Sequence, residues 1–306
     1  MSAAKIARLP DRGVVSLIGP DASQFLQGLI TNDMATLENG AAAIHAGLLS
    51  PQGKILFEFF VAQIPGGFAL EIAQEKIADF VKRLTMYKLR ADVTIRDAST
   101  NFQVLALWGL DANSPGETAN TVSFEDPRLP ALGRRILAEA RFASDIASAT
   151  NGVDSEPEDY HTHRIELGVP EGGKDFLFGD TVPHEADFHL FHGVSFTKGC
   201  YVGQEVVARM QNKSIIRKRV VSIAAAAPLA SGADILLGDV VIGRIGSVAG
   251  ARGLALMRLD RAAEAVDKGI ELTVNDQPIS VNAHAIDHYR ASVLARPAVA
   301  DLPRRE

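Results

Sequence analysis

The sequence predicts an α+β protein of the split-βαβ kind, followed by a small all-β unit. The clearest local evidence is Lys54–Ile64, where large apolar residues recur at every second position, as on a strand. The turn Pro65-Gly66-Gly67 ends this strand, and Phe68–Ala73 is predicted to pair back with it as a hairpin. Gln74–Leu89 then follows a helical period. Hairpins therefore alternate with helices, as in split βαβ units.

Two further stretches indicate a second unit of the same kind. Gly13–Ile18 is predicted to be a strand of the first unit, whereas Gln103–Trp108 and Arg135–Glu139 have the composition of strands in the second. The stretch Leu110–Leu132 between them is rich in Pro, Gly, Asn and Asp, which is typical of a loop. Tyr160–Leu167 is predicted to be a helix.

The pattern of apolar residues changes after about Arg217. Short apolar runs separated by glycines continue to Ala283, with a hairpin turn at Asn275-Asp276, and they predict a small barrel or sandwich. The predicted boundaries are 1–97 and 98–215 for the two α+β subdomains of region 1–215, 216–290 for the β-barrel and 291–306 for a frayed tail.

Composition excludes several classes of protein. The chain has 306 residues, a formal net charge of −6 and one cysteine, Cys200. The acidic balance argues against direct nucleic-acid binding, and no apolar run is long enough to cross a membrane. A lone cysteine excludes an internal disulfide and a four-cysteine zinc or iron–sulfur site. Because the N-terminus shows no secretory signal and a free thiol fits a reducing compartment, the expected location is the cytoplasm.

The segment around Cys200 is the strongest candidate for chemistry. Lys198 lies two residues before the cysteine, and a nearby ammonium favours thiolate over thiol. Flanking glycines would let the backbone approach a ligand. The alternative is that Cys200 is a small buried apolar residue, as most structural cysteines are. Beside Cys200 and Lys198, the candidate site residues here are Tyr201, Gly203, Gln204 and Glu205.

These residues carry a resemblance to a known family. Lys198–Glu205 (KGCYVGQE) resembles the K-G-C-Y-x-G-Q-E signature of YgfZ-type folate-binding proteins, a branch of the glycine-cleavage T-protein superfamily. Phe25–Asp33 (FLQGLITND) and Leu48–Leu56 (LLSPQGKIL) resemble the early helix and hairpin of that family. Arg164–Gly168 resembles its R-x-E-x-G element, and Pro183–Glu185 its P-x-E turn. The resemblance covers most of the chain.

The resemblance implies a fold and a function. Two entwined ferredoxin-like units would form a folate cleft, followed by an antiparallel β-barrel. The family assists iron–sulfur cluster assembly or repair, so cluster-assembly proteins and clients are the expected partners. Enzymes such as tRNA methylthiotransferases would benefit indirectly. Tetrahydrofolate, bound non-covalently, is the expected cofactor. No stable metal site is expected, and Cys200 would be at most a transient iron ligand.

The resemblance also implies folate contacts. Glu166 would hold the pterin ring at the floor of the cleft, next to Arg164, while Arg217 and Arg219 would face the glutamate tail of folate. Each residue has another interpretation. Glu166 could be an exposed helix acid paired with a neighbour. The basic run that contains Arg217 and Arg219 could be the solvent-exposed start of a strand, or a docking surface for RNA or an acidic protein.

One position departs from the aminomethyltransferase pattern. Those enzymes carry an aspartate pair where this chain has Phe57 and Glu58, which puts conventional aminomethyl transfer in doubt. The alternative function is therefore a folate-dependent one-carbon transferase in which Glu58 replaces the missing aspartate. His184, His189 and His192 lack a zinc-binding spacing and are expected to belong to a loop beside the cleft.

Overall fold

The computed structural model describes residues 4–109 and 121–295. Within these residues the strands form two five-stranded sheets and one closed six-stranded barrel, which confirms the predicted fold class. The strands are β1 (Lys5–Arg8), β2 (Arg12–Ile18), β3 (Ala43–Leu49), β4 (Ile55–Ile64), β5 (Gly67–Ala73), β6 (Thr94–Asp97), β7 (Phe102–Trp108), β8 (Thr121–Glu125), β9 (Arg134–Glu139), β10 (Val153–Asp154), β11 (Lys218–Ala225), β12 (Asp234–Leu237), β13 (Val240–Ala249), β14 (Arg252–Arg258), β15 (Leu272–Val274) and β16 (Gln277–Val281). The α-helices are α1 (Ala22–Gln27), α2 (Ala35–Glu38), α3 (Ile77–Lys88), α4 (Ala143–Ala149), α5 (Pro157–Glu166), α6 (Gln204–Lys213), α7 (Leu259–Lys268) and α8 (Ala283–Leu294).

The first sheet has the strand order β3-β4-β5-β2-β6, and all neighbouring pairs are antiparallel. Alternation along β4 directs Phe57 and Phe59 to one face. Both rings contact Phe80 of α3 there, at centroid distances of 5.0 and 4.8 Å. Because each aromatic ring removes about 150–250 Å² from water, this cluster holds α3 against the sheet.

The second sheet has the order β10-β1-β7-β9-β8. Its second strand, β1, comes from the start of the chain and lies parallel to β10 and antiparallel to β7. The next strand in sequence, β2, belongs to the first sheet. The two units are therefore entwined, and a boundary at residue 97 does not separate them, because residues 5–8 belong to the second unit.

Aromatic and charged side chains fill the contact between the two sheets. Phe60 of β4 meets Phe124 of β8 edge to face, with ring centroids 6.1 Å apart. The guanidinium of Arg128 lies 4.9 Å from the Phe60 ring and donates to both carboxylate oxygens of Asp126, at 3.0 and 2.8 Å. Buried charges of this kind are tolerated only when paired. The contact between the sheets is therefore a closed, ion-paired layer at these residues.

The C-terminal region is a closed antiparallel barrel with the strand order β11-β14-β13-β12-β15-β16. Two helices that the sequence analysis did not predict accompany it. Helix α7 buries Leu259 and Ala262 on one face, and its sequence LDRAAEAVDK is rich in alanine, the strongest helix former. Helix α8 includes residues 291–294, which were predicted to belong to the frayed tail.

Two sequence predictions fall partly outside the described residues. The predicted loop Leu110–Leu132 contains β8, whereas its residues 110–120 are not among those described. The same holds for residues 296–306 of the predicted tail. No helix in the described part of the chain is long and apolar enough to cross a membrane.

Candidate functional site

Cys200 is exposed in the loop that leads into α6. Gly203 caps this helix with a φ of +83°, a left-handed conformation that glycine adopts without strain. A Cβ at Gly203 would lie 2.6 Å from the carbonyl oxygen of Ser50 and 3.2 Å from the Cα of Gly53. The turn between β3 and β4 thus packs directly on the start of α6. Gly203 was predicted to let the backbone approach a ligand, and in the structure the backbone that approaches it closely is that of the turn at Ser50 and Gly53.

Lys198 does not have the surroundings expected of a thiolate-activating residue. Its ammonium donates hydrogen bonds to the backbone carbonyls of Gln27, Ile30 and Asn32, at 2.8, 2.9 and 2.6 Å. Burial lowers the pKa of Lys198 to about 8, and the nearby Asp33 opposes that shift. Because three carbonyls occupy its three donors, the ammonium has no free donor for the Cys200 thiol.

The other candidates next to Cys200 divide into buried and exposed groups. The Tyr201 ring is buried 5.2 Å from the Lys198 ammonium, and burial raises the pKa of its hydroxyl to about 12. Tyr201 therefore anchors the loop as a neutral side chain. Gln204 donates to the carbonyl of Gly199 at 3.4 Å, while Glu205 is exposed. Among the candidates Lys198, Tyr201, Gly203, Gln204 and Glu205, Glu205 is the exposed one.

The two α5 residues expected to bind folate have opposite surroundings. Arg164 is fully buried and donates to Val169, Asp175 and Ser247 at 2.6, 2.7 and 2.7 Å, so it connects α5 to the barrel. It is therefore a structural residue rather than a ligand contact. Glu166 is exposed at the end of α5 rather than on the floor of a cleft. Its carboxylate makes no hydrogen bond or ion pair with any residue that the structure describes.

The basic run at the start of β11 alternates between solvent and the interior, as expected for a strand. Arg217 is exposed, whereas Arg219 is buried. The Nε of Arg219 lies 2.9 Å from Asp187, and its Nη2 lies 3.2 Å from His189. Burial raises the pKa of Asp187 to about 7, although Arg219 opposes this shift. Arg219 is thus committed to the protein, and Arg217 is the arginine left for an anion.

Glu58 is held on both sides by the protein. His45 Nε2 lies 3.0 Å from one carboxylate oxygen, and the backbone amide of Gly172 donates to the other at 2.7 Å. Burial by itself would raise the pKa of Glu58, but these bonds and the charge of Arg128 hold it below its ordinary value. Because Glu58 is buried and each of its oxygens already has a protein partner, its carboxylate does not face a ligand.

Two rings of the histidine loop contact each other in a tilted arrangement, with an interplanar angle of 31°. The rings of His184 and His189 lie 4.7 Å apart, and burial lowers the pKa of both. In the described ranges, no group of three or more His, Cys, Asp or Glu side chains could hold a metal ion.

The structure therefore assembles only part of the predicted site. Lys198, Tyr201 and Gly203 flank Cys200 in the same loop, whereas Glu166 lies on α5 and Arg219 lies on β11, where it pairs with Asp187. Thr31 and Asn32, for which no role was predicted, hold the loop before Lys198. Their signal was present in the motif FLQGLITND, which was recognised only as a resemblance.

Comparisons with known proteins agree with the fold and name several relatives. Residues 217–286 match the family model described as CAF17, C-terminal beta-barrel domain. The aminomethyltransferase T of the glycine cleavage system from Bartonella henselae has a similar structure, with a TM-score of 0.72 and 15% identity over 92% of this chain and 86% of that one. At that identity the likeness concerns the fold alone.

Relatives named iron–sulfur cluster assembly factor IBA57, mitochondrial, or its homolog, include the mouse, human and Mycosarcoma maydis proteins. The mouse protein is 33% identical over 74% of this chain and 68% of its own length, and the human protein 31% over 82% and 76%. The Mycosarcoma maydis homolog is 35% identical over 72% of this chain. The match covers 57% of that fungal protein, so the chain spans little more than half of it.

These names correct one prediction. The expected cytoplasmic location is contradicted, because the matched relatives are named mitochondrial proteins. The inference from Cys200 was too narrow, since a free thiol indicates a reducing compartment and not which one.

Proposed function

The chain belongs to the IBA57 family of iron–sulfur cluster assembly factors, and from this premise we propose that it assists the assembly or repair of iron–sulfur clusters. The observation that carries the proposal is the only cysteine of the chain, exposed on a loop held by Lys198 and Tyr201. Cysteine thiolate is the usual protein ligand of such clusters. Because the chain has no second cysteine, the remaining ligands come from a partner protein or a small thiol.

The chemistry assigned to Cys200 is ligand exchange on a cluster that is cargo. The S–H proton leaves as the sulfur binds iron, and the departing thiolate ligand takes up a proton in return. No oxidation or reduction is needed for this step. Cluster-dependent enzymes, among them tRNA methylthiotransferases, are the clients we propose.

Replacing Cys200 with serine is expected to reduce protein-bound cluster to background. The experiment reconstitutes the protein anaerobically with ferrous iron, sulfide and glutathione, removes unbound material and measures visible absorbance, iron and sulfide. Glu205→Gln is the matched control, because Glu205 is a neighbouring exposed residue of the same motif. If the Cys200→Ser protein retains as much iron and sulfide as the wild type, Cys200 is not the cluster ligand.

We also propose that the chain binds a reduced folate through Glu166. The likeness to aminomethyltransferase T supplies the fold, and the unpaired Glu166 carboxylate can accept hydrogen bonds from the pterin ring. Arg217 is exposed and can face the carboxylates of the folate tail. Arg164 and Arg219 do not fit this role, because buried carboxylates already pair with them.

Anaerobic calorimetry with tetrahydrofolate tests this second proposal. Glu166→Gln is expected to weaken binding by about 10-fold or more, since loss of a charged acceptor costs about 1.5–3 kcal/mol. Glu158→Gln, which changes another exposed carboxylate of α5, is expected to leave the affinity unchanged. Absence of any heat with the native protein, or equal affinity for the two variants, contradicts the assignment.

The alternative function of one-carbon transfer finds no support in the site. It requires a carboxylate near the reacting nitrogen of folate, and Glu58 is buried with both oxygens bonded to the protein.

A further inference from the structure

The motif FLQGLITND has no role in the function proposed above, yet it contacts the loop that carries the cysteine. Its segment from Gln27 to Asn32, which we call the carbonyl cradle, follows directly on α1. Three backbone carbonyls of this cradle, those of Gln27, Ile30 and Asn32, surround the ammonium of Lys198 within 2.6–2.9 Å. Lys198 lies only two residues before Cys200.

Two side chains of the cradle hold the same loop further upstream. The hydroxyl of Thr31 donates to the carbonyl of Gly193 at 2.5 Å, and its backbone carbonyl accepts from Ser195 at 3.0 Å. The amide of Asn32 donates to the carbonyls of His45 and His192 at 2.8 and 2.7 Å. The chain from 192 to 198 is therefore bonded to the cradle along its length.

The chemistry of the cradle selects lysine. The last carbonyls of a helix have no partner within the helix, and buried carbonyls need a donor. An ammonium offers three donors in a tetrahedral arrangement, whereas a guanidinium offers its donors in one plane. Three carbonyls converging on one point therefore suit Lys198 and do not suit an arginine.

We propose that Lys198 is a positioning residue: its ammonium, seated in the carbonyl cradle, fixes the backbone from which Cys200 projects. The inference rests on the proposed function, in which Cys200 must meet iron on a partner. A fixed backbone keeps the Cys200 sulfur directed to solvent, so the loop need not change conformation each time a partner binds. Lys198 thus acts through geometry and not through its charge on the thiol.

The test compares Lys198→Met with Lys198→Arg and with the exposed control Lys82→Met. The first readout is hydrogen exchange of the amides from Gly193 to Tyr201. Release from the cradle is expected to speed their exchange by about 10-fold in both Lys198 variants and not in the control. A second variant, Asn32→Ala, removes the bonds that this side chain donates to His45 and His192 and the one it accepts from the Asp33 amide, without touching Lys198. It is expected to speed the exchange of the same amides.

The second readout separates positioning from charge. Because Cys200 is the only thiol, maleimide alkylation reports on it alone. If Lys198 is a positioning residue, the midpoint of the pH profile of alkylation stays the same in Lys198→Met. Cluster retention falls in Lys198→Met, and it stays low in Lys198→Arg. A raised midpoint in Lys198→Met that Lys198→Arg restores, with hydrogen exchange unchanged, overturns the proposal in favour of charge activation.

The two proposals fail separately. If Cys200→Ser binds as much cluster as the wild type, the proposed function fails, while the exchange of the loop amides still decides whether Lys198 holds the loop. If Lys198→Met and Asn32→Ala exchange like the control, the positioning role is rejected whatever the cluster data show.

Discussion

Replacing Arg164 with methionine is expected to lower the free energy of unfolding by about 3–5 kcal/mol. The fully buried guanidinium contacts Asp175 at 2.7 Å and Glu171 at 3.3 Å, and it donates to Ser247 on β13. Removing it leaves two buried carboxylates without their main counter-charge and breaks a bond to the barrel. Urea unfolding followed by circular dichroism measures the change.

Arg217→Met is the matched control, because Arg217 is an arginine on the surface of the same chain. Its substitution is expected to change stability by no more than about 0.5 kcal/mol. A loss below about 1 kcal/mol for Arg164→Met would mean that the buried carboxylates relax into other pairings. The structural role that we assign to Arg164 would then be wrong.

Gly203→Ala is expected to destabilise the protein by about 2–6 kcal/mol, from backbone strain and overpacking of about 1–3 kcal/mol each. The φ of +83° is unfavourable for any residue with a Cβ, and this Cβ would lie 2.6 Å from the Ser50 carbonyl oxygen. The turn and α6 must separate to admit it. Thermal unfolding gives the stability, and the maleimide reaction rate of Cys200 reports on the loop.

Gly199→Ala provides the comparison within the same loop. A Cβ at Gly199 meets no atom within 4 Å, so a change below about 0.5 kcal/mol is expected. Equal destabilisation by the two substitutions would show that the loop, and not the contact between Gly203 and the turn, is sensitive to added bulk.

Local patterns were sufficient for the elements whose partners lie nearby in sequence. The hairpin of β4 and β5 and the helix α3 follow each other within residues 55–88, and their periodicity predicted all three. Helix α7 was missed because its ten residues lie between two short apolar runs of the barrel, where strands were expected. The pairing of β1 with β7 joins residues about 100 positions apart, and no local pattern reports it.

In the candidate site, too, features contiguous in sequence were predicted, whereas contacts between distant residues were not. The motif around Cys200 located the exposed thiol, because the signature is contiguous in sequence. The role of Lys198 could not be read from it, since its partners are backbone carbonyls 166–171 positions away and any residue type supplies a carbonyl. The structural role of Arg164 was missed although two of its partners, Val169 and Asp175, lie only 5 and 11 positions away; its bond to the barrel at Ser247 spans 83 positions.

The position of β1 inside the second sheet has a consequence for synthesis on the ribosome. Its neighbours β7 and β10 are translated roughly 100 and 150 residues later. At translation rates of about 5–20 residues per second, β1 waits roughly 5–20 s for the first of them. During that interval its unpaired backbone is open to wrong partners. The first strand of the second α+β unit is therefore made first but cannot pair until β7 and β10 have emerged, whereas all five strands of the first sheet lie within residues 12–97.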